Sequence, residues 1–277
     1  MTVFKVAADL LREAASRKWF LLLGVVLTLG LVTLGLSLRL EVVDGALAAT
    51  RLFGKSMGHG IMSVDVALRP LYQAVSYALF YGGMLFGILG CADFAPTMLS
   101  PGRIEQLLSL PVRRWELLVG TFLGVLALSL SAALYGAGGV VVLLGVKTGS
   151  WTWRPVVAAM LSMLGFSAVY ACMLTTALFL RSASVSAVAG GMVFICGVWA
   201  GFRLDIAPAM DAGLPRELFL AVTSVMPRLS TLAIAAADFA GSAPITVKSF
   251  PSVVAGVATW ALAALCVGIW RFESRDF

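Results

Sequence analysis

Charged residues are scarce in this sequence. Only 12% of the 277 residues are Asp, Glu, Lys or Arg, whereas 60% are hydrophobic, and the mean hydropathy is +0.98. A soluble domain carries about 25% charged and about 45–50% apolar residues. A chain with so little charge cannot hide its apolar residues in one water-soluble core. An ordinary soluble enzyme is therefore excluded, and the chain requires a lipid bilayer.

Metal ligands and catalytic bases are also scarce. The one histidine, His59, lies in the glycine-rich stretch 58–60, and the four cysteines show no Cys-x-x-Cys spacing. We expect His59 to be a loop residue, the cysteines to be small packing residues and no metal to be bound. The stretch 165–168 is superficially similar to the setting of an intramembrane serine nucleophile, but Ser167 has no histidine base near it in sequence. An intramembrane enzyme remains the least favoured alternative.

Two further absences bear on the source of energy. The apolar runs contain no Asp, Glu, Lys or Arg except at their edges, whereas ion-driven carriers need such groups near the midplane. The sequence has no Gly-x-x-x-x-Gly-Lys-Ser/Thr phosphate loop, so it does not hydrolyse ATP by that route. The basic residues are scattered between apolar runs, and no nucleic acid is expected as a partner. We therefore expect energy from a separate subunit and no cofactor in this chain.

Six apolar runs are long enough to cross a bilayer as helices of about 20 residues. They predict an all-α polytopic membrane protein in one transmembrane domain, residues 1–277, with spans at about 19–38, 71–91, 117–146, 156–180, 183–200 and 253–270. An even number of spans puts both termini on one side. Each side carries ten of the 20 Lys and Arg. The polar segments on the side of the termini are together about half as long as those on the other side, so their density of basic residues is higher. The positive-inside rule therefore predicts cytoplasmic termini.

Three segments outside the spans have recognisable patterns. Residues 1–17 predict an amphipathic helix at the membrane surface, the alternative being a solvated helix that contacts a partner. Residues 38–53 alternate around Asp44-Gly45 and predict a small external β-hairpin. The external segment 201–252 contains apolar pieces at 218–226 and 232–240 that are too short to span. They predict external or re-entrant helices that plug the bundle, with a soluble lid as the alternative.

The segment 93–116 lies on the predicted cytoplasmic side. Pro101 and Gly102 can open a short helix there, and Pro111 should end it. An apolar patch on this helix predicts a knob that fits a partner's groove, the alternative being that it folds back onto the bundle. The patch consists of Leu107, Leu108 and Leu110.

The run 102–117, followed by Gly120, resembles the signature of ABC-2-type transporter permeases, in which Gly, Glu, Leu-Leu, Pro, Arg and Glu recur at this spacing. The resemblance covers the whole chain and implies a permease that dimerises with a second copy and binds two ATP-binding cassette subunits, which hold ATP and Mg²⁺. It also implies a coupling element at this segment, made of Glu105, Leu107, Leu108, Pro111, Arg114 and Glu116. One departure is Thr121, where many members have lysine.

The resemblance implies export, and a weaker, shorter match adds detail. Residues 226–229 (Met-Pro-Arg-Leu) resemble a subset that includes the nitrous-oxide-reductase maturation permeases. The excess of Arg over Lys and the abundance of Ala are compatible with a bacterial source, so the bacterial inner membrane is the expected location.

A polar and aromatic stripe lies in the second span. Gln73, Tyr77 and Tyr81 are spaced by four residues and share one helical face. This stripe is our candidate for the lining of a path at a dimer interface, and interhelical hydrogen bonding is the alternative. The sequence thus predicts the permease subunit of an ATP-driven exporter. A membrane anchor of a maturation complex is the second alternative, and the substrate is left open.

Overall fold

The computed structural model describes residues 2–16, 18–43, 46–52, 55–56, 62–100, 102, 104, 113–247 and 249–274. Six helical segments in this part of the chain are long and apolar enough to cross a membrane, which confirms the predicted all-α polytopic fold. The segments are Phe20–Ser37, Val66–Met98, Arg114–Thr148, Arg154–Leu180, Ala183–Gly201 and Phe250–Glu273.

The helices follow one another with short connections. In chain order they are α1 Thr2–Ser16, α2 Lys18–Ser37, α3 Val64–Tyr77, a π-helical turn Ala78–Gly82, α4 Gly83–Cys91, α5 Phe94–Met98, α6 Arg114–Thr148, α7 Arg154–Leu180, α8 Ala183–Gly201, α9 Arg203–Ile206, a 3₁₀ turn Ala207–Ala209, α10 Leu214–Val225, α11 Leu229–Ala240 and α12 Phe250–Glu273. Helix α7 is the centre of the bundle, because α6, α8, α11 and α12 all pack against it.

The amphipathic α1 forms as predicted. Its buried face consists of Ala7, Leu10 and Ala14, and it packs on the first turns of α6. Gly120 and Gly124 permit this contact: a Cβ at Gly120 would lie 2.7 Å from Val6 Cβ, and one at Gly124 would lie 3.2 Å from Ala7 Cα. This small-x-x-x-small pair therefore serves a contact within the chain.

Four short strands lie between α2 and α3. Their bounds are β1 Leu38–Val43, β2 Ala46–Leu52, β3 Lys55–Ser56 and β4 Met62–Ser63. Strand β1 pairs antiparallel with β2, from Leu38 opposite Leu52 to Val43 opposite Ala46. The predicted turn, Asp44-Gly45, lies outside the described residues, so the hairpin as a unit stays a prediction.

The predicted short helices between the last two spans are α10 and α11, which are bent by 58° at the break between them. Pro227 lies in this break and disfavours a continuous helix. Only Thr223 is buried in α10, whereas α11 packs against α3, α7, α8 and α12. Helix α11 is therefore a plug inside one end of the bundle, and the soluble-lid alternative is wrong for it.

Candidate functional site

The start of α6 joins several elements at the end of the bundle that holds both termini. The Glu116 carboxylate accepts a hydrogen bond from the Arg113 backbone N–H at 3.0 Å and so caps the first turn of α6. Arg114 Nη1 donates to the Glu273 carbonyl oxygen near the end of α12 at 3.4 Å. Arg114 and Glu116 are two of the six residues predicted to couple the chain to an ATPase. Their bonds join the start of α6 to the end of α12 and cap its first turn.

Thr121 joins the same region to α5. It is buried, and its hydroxyl lies 2.9 Å from the Leu117 carbonyl oxygen and 3.3 Å from the Met98 sulfur. A lysine, which the resemblance implies for this position, would place its charge among these buried groups. The threonine therefore fits the packing of α5 against α6, and no ion pair is needed at this position.

The remaining four predicted coupling residues, Glu105, Leu107, Leu108 and Pro111, lie outside the described residues, as does Leu110. Beside them, the chain folds back onto the bundle: Phe94, Ala95, Met98, Leu99 and Ile104 are all buried. The described residues on the N-terminal side of the predicted coupling segment thus pack into the core.

The predicted polar and aromatic stripe lies across a π-helical turn in the second span. The rings of Tyr77 and Tyr81 stack with centroids 6.3 Å apart, and Tyr81 meets Phe194 of α8 edge-on at 6.2 Å. π-helical turns are rare and are frequent at functional sites. No hydrogen bond joins the Gln73 amide or the two hydroxyls to another residue in the described part of the chain, so the interhelical-bond alternative finds no support there.

A family model adds the evidence that decides the class of protein. The model described as ABC-2 family transporter protein matches residues 5–277. The chain belongs to the ABC-2 transporter family. No curated protein matched the chain. The match is to the whole family, so the narrower resemblance of residues 226–229 stays a prediction.

Membership in the ABC-2 family makes the chain the membrane component of a transporter. The suspected serine fits this assignment: Ser167 is buried, and its hydroxyl donates to the Leu164 carbonyl oxygen at 2.7 Å within the same helix. Among the described residues, no group of three or more His, Cys, Asp or Glu could hold a metal ion.

Two charged residues that sequence reasoning did not single out hold the plug helix of this ABC-2 chain. Arg69, one turn before Gln73, donates from Nε to the Gly241 carbonyl oxygen at 3.1 Å and from Nη2 to that of Ser242 at 3.4 Å. These bonds cap the C-terminal end of α11, where a cation is favoured. Gln73 packs there too, since a Cβ at Gly241 would lie 2.8 Å from its Cγ.

Asp238 is the second of these residues. Its side chain is buried, and Oδ2 accepts hydrogen bonds from the backbone N–H of Thr246 at 3.0 Å and from its hydroxyl at 2.7 Å. A single carboxylate within an alanine-rich apolar helix was the signal that could have marked this position in the sequence.

Two arginines lie close together near the break between α10 and α11. Partial burial, and then the positive charge of Arg228, lower the pKa of Arg203. Arginine nevertheless remains charged at neutral pH, so this end of the transporter keeps two neighbouring positive charges.

Proposed function

We propose that the protein is the permease subunit of an ATP-driven exporter in the bacterial inner membrane. In this proposal it forms the translocation path as a dimer, and two cytoplasmic ATP-binding cassette subunits bind at the end of the bundle that holds both termini. Family membership supports the permease. The observation that carries the coupling is the joint at the start of α6, where Arg114 contacts α12 and Thr121 contacts α5.

The contacts at the start of α6 are suited to transmit a movement of the coupling segment to the neighbouring helices. Glu116 holds the first turn of α6 rigid, and α1 is packed directly on the next turns. A subunit that closes against residues 93–116 would therefore displace α1, α6 and α12 together. Glu105, Leu107, Leu108 and Pro111 are the groups proposed to meet that subunit, with ATP and Mg²⁺ held in the partner.

The polar and aromatic stripe is the proposed lining of the path. Gln73 packs against the end of the plug helix α11, and Tyr77 and Tyr81 continue the stripe along the second span. Because Arg69 and Gln73 both contact the end of α11, a movement of the second span would be passed to the plug. The contacts of Arg69 and Gln73 with α11 support a proposal in which the lining and the plug move together.

Co-purification tests the coupling. Tagged wild-type protein, Arg114→Ala and Arg154→Ala are purified from the native membrane in mild detergent, and bound subunits are identified by mass spectrometry while ATP hydrolysis is measured. Arg154 is an exposed arginine at the start of α7, at the opposite end of the bundle, and serves as the matched control. We expect an ATPase to co-purify with the wild type and with Arg154→Ala. With Arg114→Ala we expect either that no ATPase co-purifies or that the bound ATPase is no longer stimulated by the permease. Absence of any ATPase from a preserved dimer would overturn the proposal and favour the membrane-anchor alternative.

Transport tests the path. We expect the double change Tyr77→Phe/Tyr81→Phe to reduce ATP-dependent movement of a fluorescent phospholipid or of rhodamine dye in inverted vesicles while the complex still assembles. Both substitutions keep the stacked rings and remove only the hydroxyls. Tyr135→Phe, outside the stripe on α6, is the control. Unchanged transport in the double variant would show that the stripe serves helix packing and does not line the path.

A further inference from the structure

The buried apolar residues of the described chain form two main clusters. The outer cluster joins α3 to α6 and α11 and includes Tyr72, Leu144 and Ala236. The larger cluster, here called the main core, contains the buried residues of α4, α5, α8 and α12, among them Met84 and Ile88. The second span therefore crosses from one cluster to the other, with α3 in the outer cluster and α4 in the main core.

The π-helical turn Ala78–Gly82 lies at this crossing. Tyr72 is the last residue of the second span in the outer cluster, whereas Phe80, inside the turn, is fully buried and is its first residue in the main core. Beyond the turn, α4 is held closely, since a Cβ on Gly87 would overlap the Phe166 ring of α7. Sharp bends in helices occur at π-bulges and at glycines. The second span is thus weakest between two halves that are anchored in different clusters.

Helix α6 has a matching weak point at the same level. The stretch 136–139 contains three glycines, and it separates Leu126 in the main core from Val140 in the outer cluster. Glycine in the interior of a helix lowers helix stability relative to alanine. This stretch packs on the π-helical turn, because a Cβ on Gly136 would lie 2.8 Å from Leu79 Cδ2. The weak points of the two helices are therefore in contact.

The plug helix α11 is attached on both sides of this level. Its end is tied to α3 by the bonds from Arg69 to the Gly241 and Ser242 carbonyl oxygens. Its start is held by α8, where a Cβ on Gly197 would lie 2.7 Å from Leu229 Cδ1. A bend at the π-helical turn would therefore carry the end of α11 with α3 while its start stays in place, and the plug would tilt.

We propose that the π-helical turn and the glycine stretch 136–139 form one hinge. About this hinge, α3, the outer end of α6 and the end of α11 move together relative to the main core. Hinges are a few residues that absorb a change in backbone angles between two packed bodies, and here the two clusters are those bodies. The inference rests on the proposed function: a movement that starts at the coupling segment, next to α4, reaches the plug through this hinge.

Distances between spin labels test the hinge. Labels are attached at Val66→Cys and Leu262→Cys in one sample and at Leu89→Cys and Leu262→Cys in another, in protein whose four cysteines are replaced by alanine. All three side chains are exposed, Val66 and Leu89 lie on opposite sides of the π-helical turn, and Leu262 on α12 is the common reference. Double electron–electron resonance in nanodiscs gives the two distance distributions. We expect the first to be about twice as wide as the second, because only that pair spans the hinge.

Alanine substitutions at open glycines provide a matched comparison. A Cβ on Gly82, Gly83 or Gly138 would meet no atom within 4 Å, so Gly82→Ala/Gly83→Ala/Gly138→Ala fits without a clash and favours the helix at the hinge. We expect this hinge variant to narrow the Val66–Leu262 distribution to about the width of the Leu89–Leu262 distribution. The control variant changes three equally open glycines away from the hinge and should leave the distribution wide: Gly24→Ala, Gly191→Ala and Gly256→Ala.

Two outcomes would overturn the hinge: equal widths for the two label pairs in the wild type, or a hinge variant whose distribution stays as wide as that of the control variant. Gel filtration and thermal unfolding verify that the samples are folded, and Gly138→Ala alone should narrow the distribution in the same direction if the triple variant does not fold.

Transport tests what the hinge does. We expect ATP-dependent dye transport to fall severalfold in the hinge variant while an ATPase still co-purifies. Normal transport together with a narrowed distribution would contradict a role of the hinge in transport. The label distances require no ATPase, so failure of the proposed exporter and failure of the hinge are distinguishable.

Discussion

Helices α2 and α11 show how differently two apolar segments of one membrane protein can be placed. The stretch Phe20–Ser37 has a mean hydropathy of 2.4, yet none of its residues is buried. In α11, nine of the 12 residues are buried, including Ser230 and Asp238. Hydropathy reports that a segment dissolves in lipid, but it does not report whether lipid or protein covers the segment. Among helices in a bilayer, small side chains and polar bonds decide the packing.

The largest loss of unfolding free energy is expected at the tightest contact of α11, which is with Gly201 of α8. At Gly201, a Cβ would overlap Ser230 Oγ and lie 2.8 Å from the backbone nitrogen of Thr231. We expect Gly201→Val to lower the free energy of unfolding by about 3 kcal/mol, since overpacking at a rigid contact costs about that much. Thermal unfolding in detergent measures the change.

Gly24→Val on α2 is the matched control for this substitution, because a Cβ there meets no atom within 4 Å. It should leave the melting temperature nearly unchanged. If the two variants melted alike, the close docking of α11 against the end of α8 would be wrong.

The next largest loss of unfolding free energy is expected from a buried side chain of the plug helix α11. Leu232 is fully buried, whereas Leu29 on α2 is 60% exposed. We expect Leu232→Ala to cost about 2 kcal/mol of unfolding free energy through the cavity it leaves. Leu29→Ala removes the same atoms from a lipid-facing surface and should cost less than about 0.5 kcal/mol. Chemical denaturation of both variants measures the difference, and equal costs would show that α2 is packed against protein.

A smaller effect is expected at the carboxylate of the plug. Asp238→Ala removes the carboxylate that accepts hydrogen bonds from the Thr246 N–H and hydroxyl, and it should cost about 1.5 kcal/mol of unfolding free energy, since a hydrogen bond to a charged group is worth about 1.5–3 kcal/mol. The loop after α11 should open first, which hydrogen exchange at residues 241–247 would detect as faster exchange. Asp211→Ala, at an exposed aspartate of the same external segment, is the control and should leave both readouts unchanged. If exchange at residues 241–247 stayed slow in Asp238→Ala, Asp238 would not be a residue that supports the plug helix α11.

The sequence predicted the number of spans because each is a long apolar run, and it predicted two short helices before the last span because the apolar pieces at 218–226 and 232–240 are too short to cross a bilayer. It predicted that short helices here plug the bundle, but not that α11 is buried while α10 is exposed, because the alanines of α11 carry no period that separates a protein-facing side from a lipid-facing side. Nor does glycine spacing alone predict helix contacts: Gly120 and Gly124 both lie at a close contact, whereas of Gly83 and Gly87 only Gly87 does. Of the candidate site, Arg114 and Glu116 are placed at the joint of α6, and the function of Tyr77 and Tyr81 stays a prediction.

The smallest expected effect concerns the bond that holds α2. The hydroxyls of Thr28 and Tyr135 lie 2.8 Å apart, and hydrogen bonds between membrane helices are worth about 0.6 kcal/mol on average. Tyr135→Phe should therefore lower the free energy of unfolding by about that amount. In a double-mutant cycle with Thr28→Val, the second change should cost almost nothing more, because the bond is already lost. A coupling near zero would mean that this bond does not hold α2, which then depends on apolar contacts with α6, such as Leu31 with Gly139, and on the Lys147 bond to the Leu38 carbonyl oxygen at 2.7 Å.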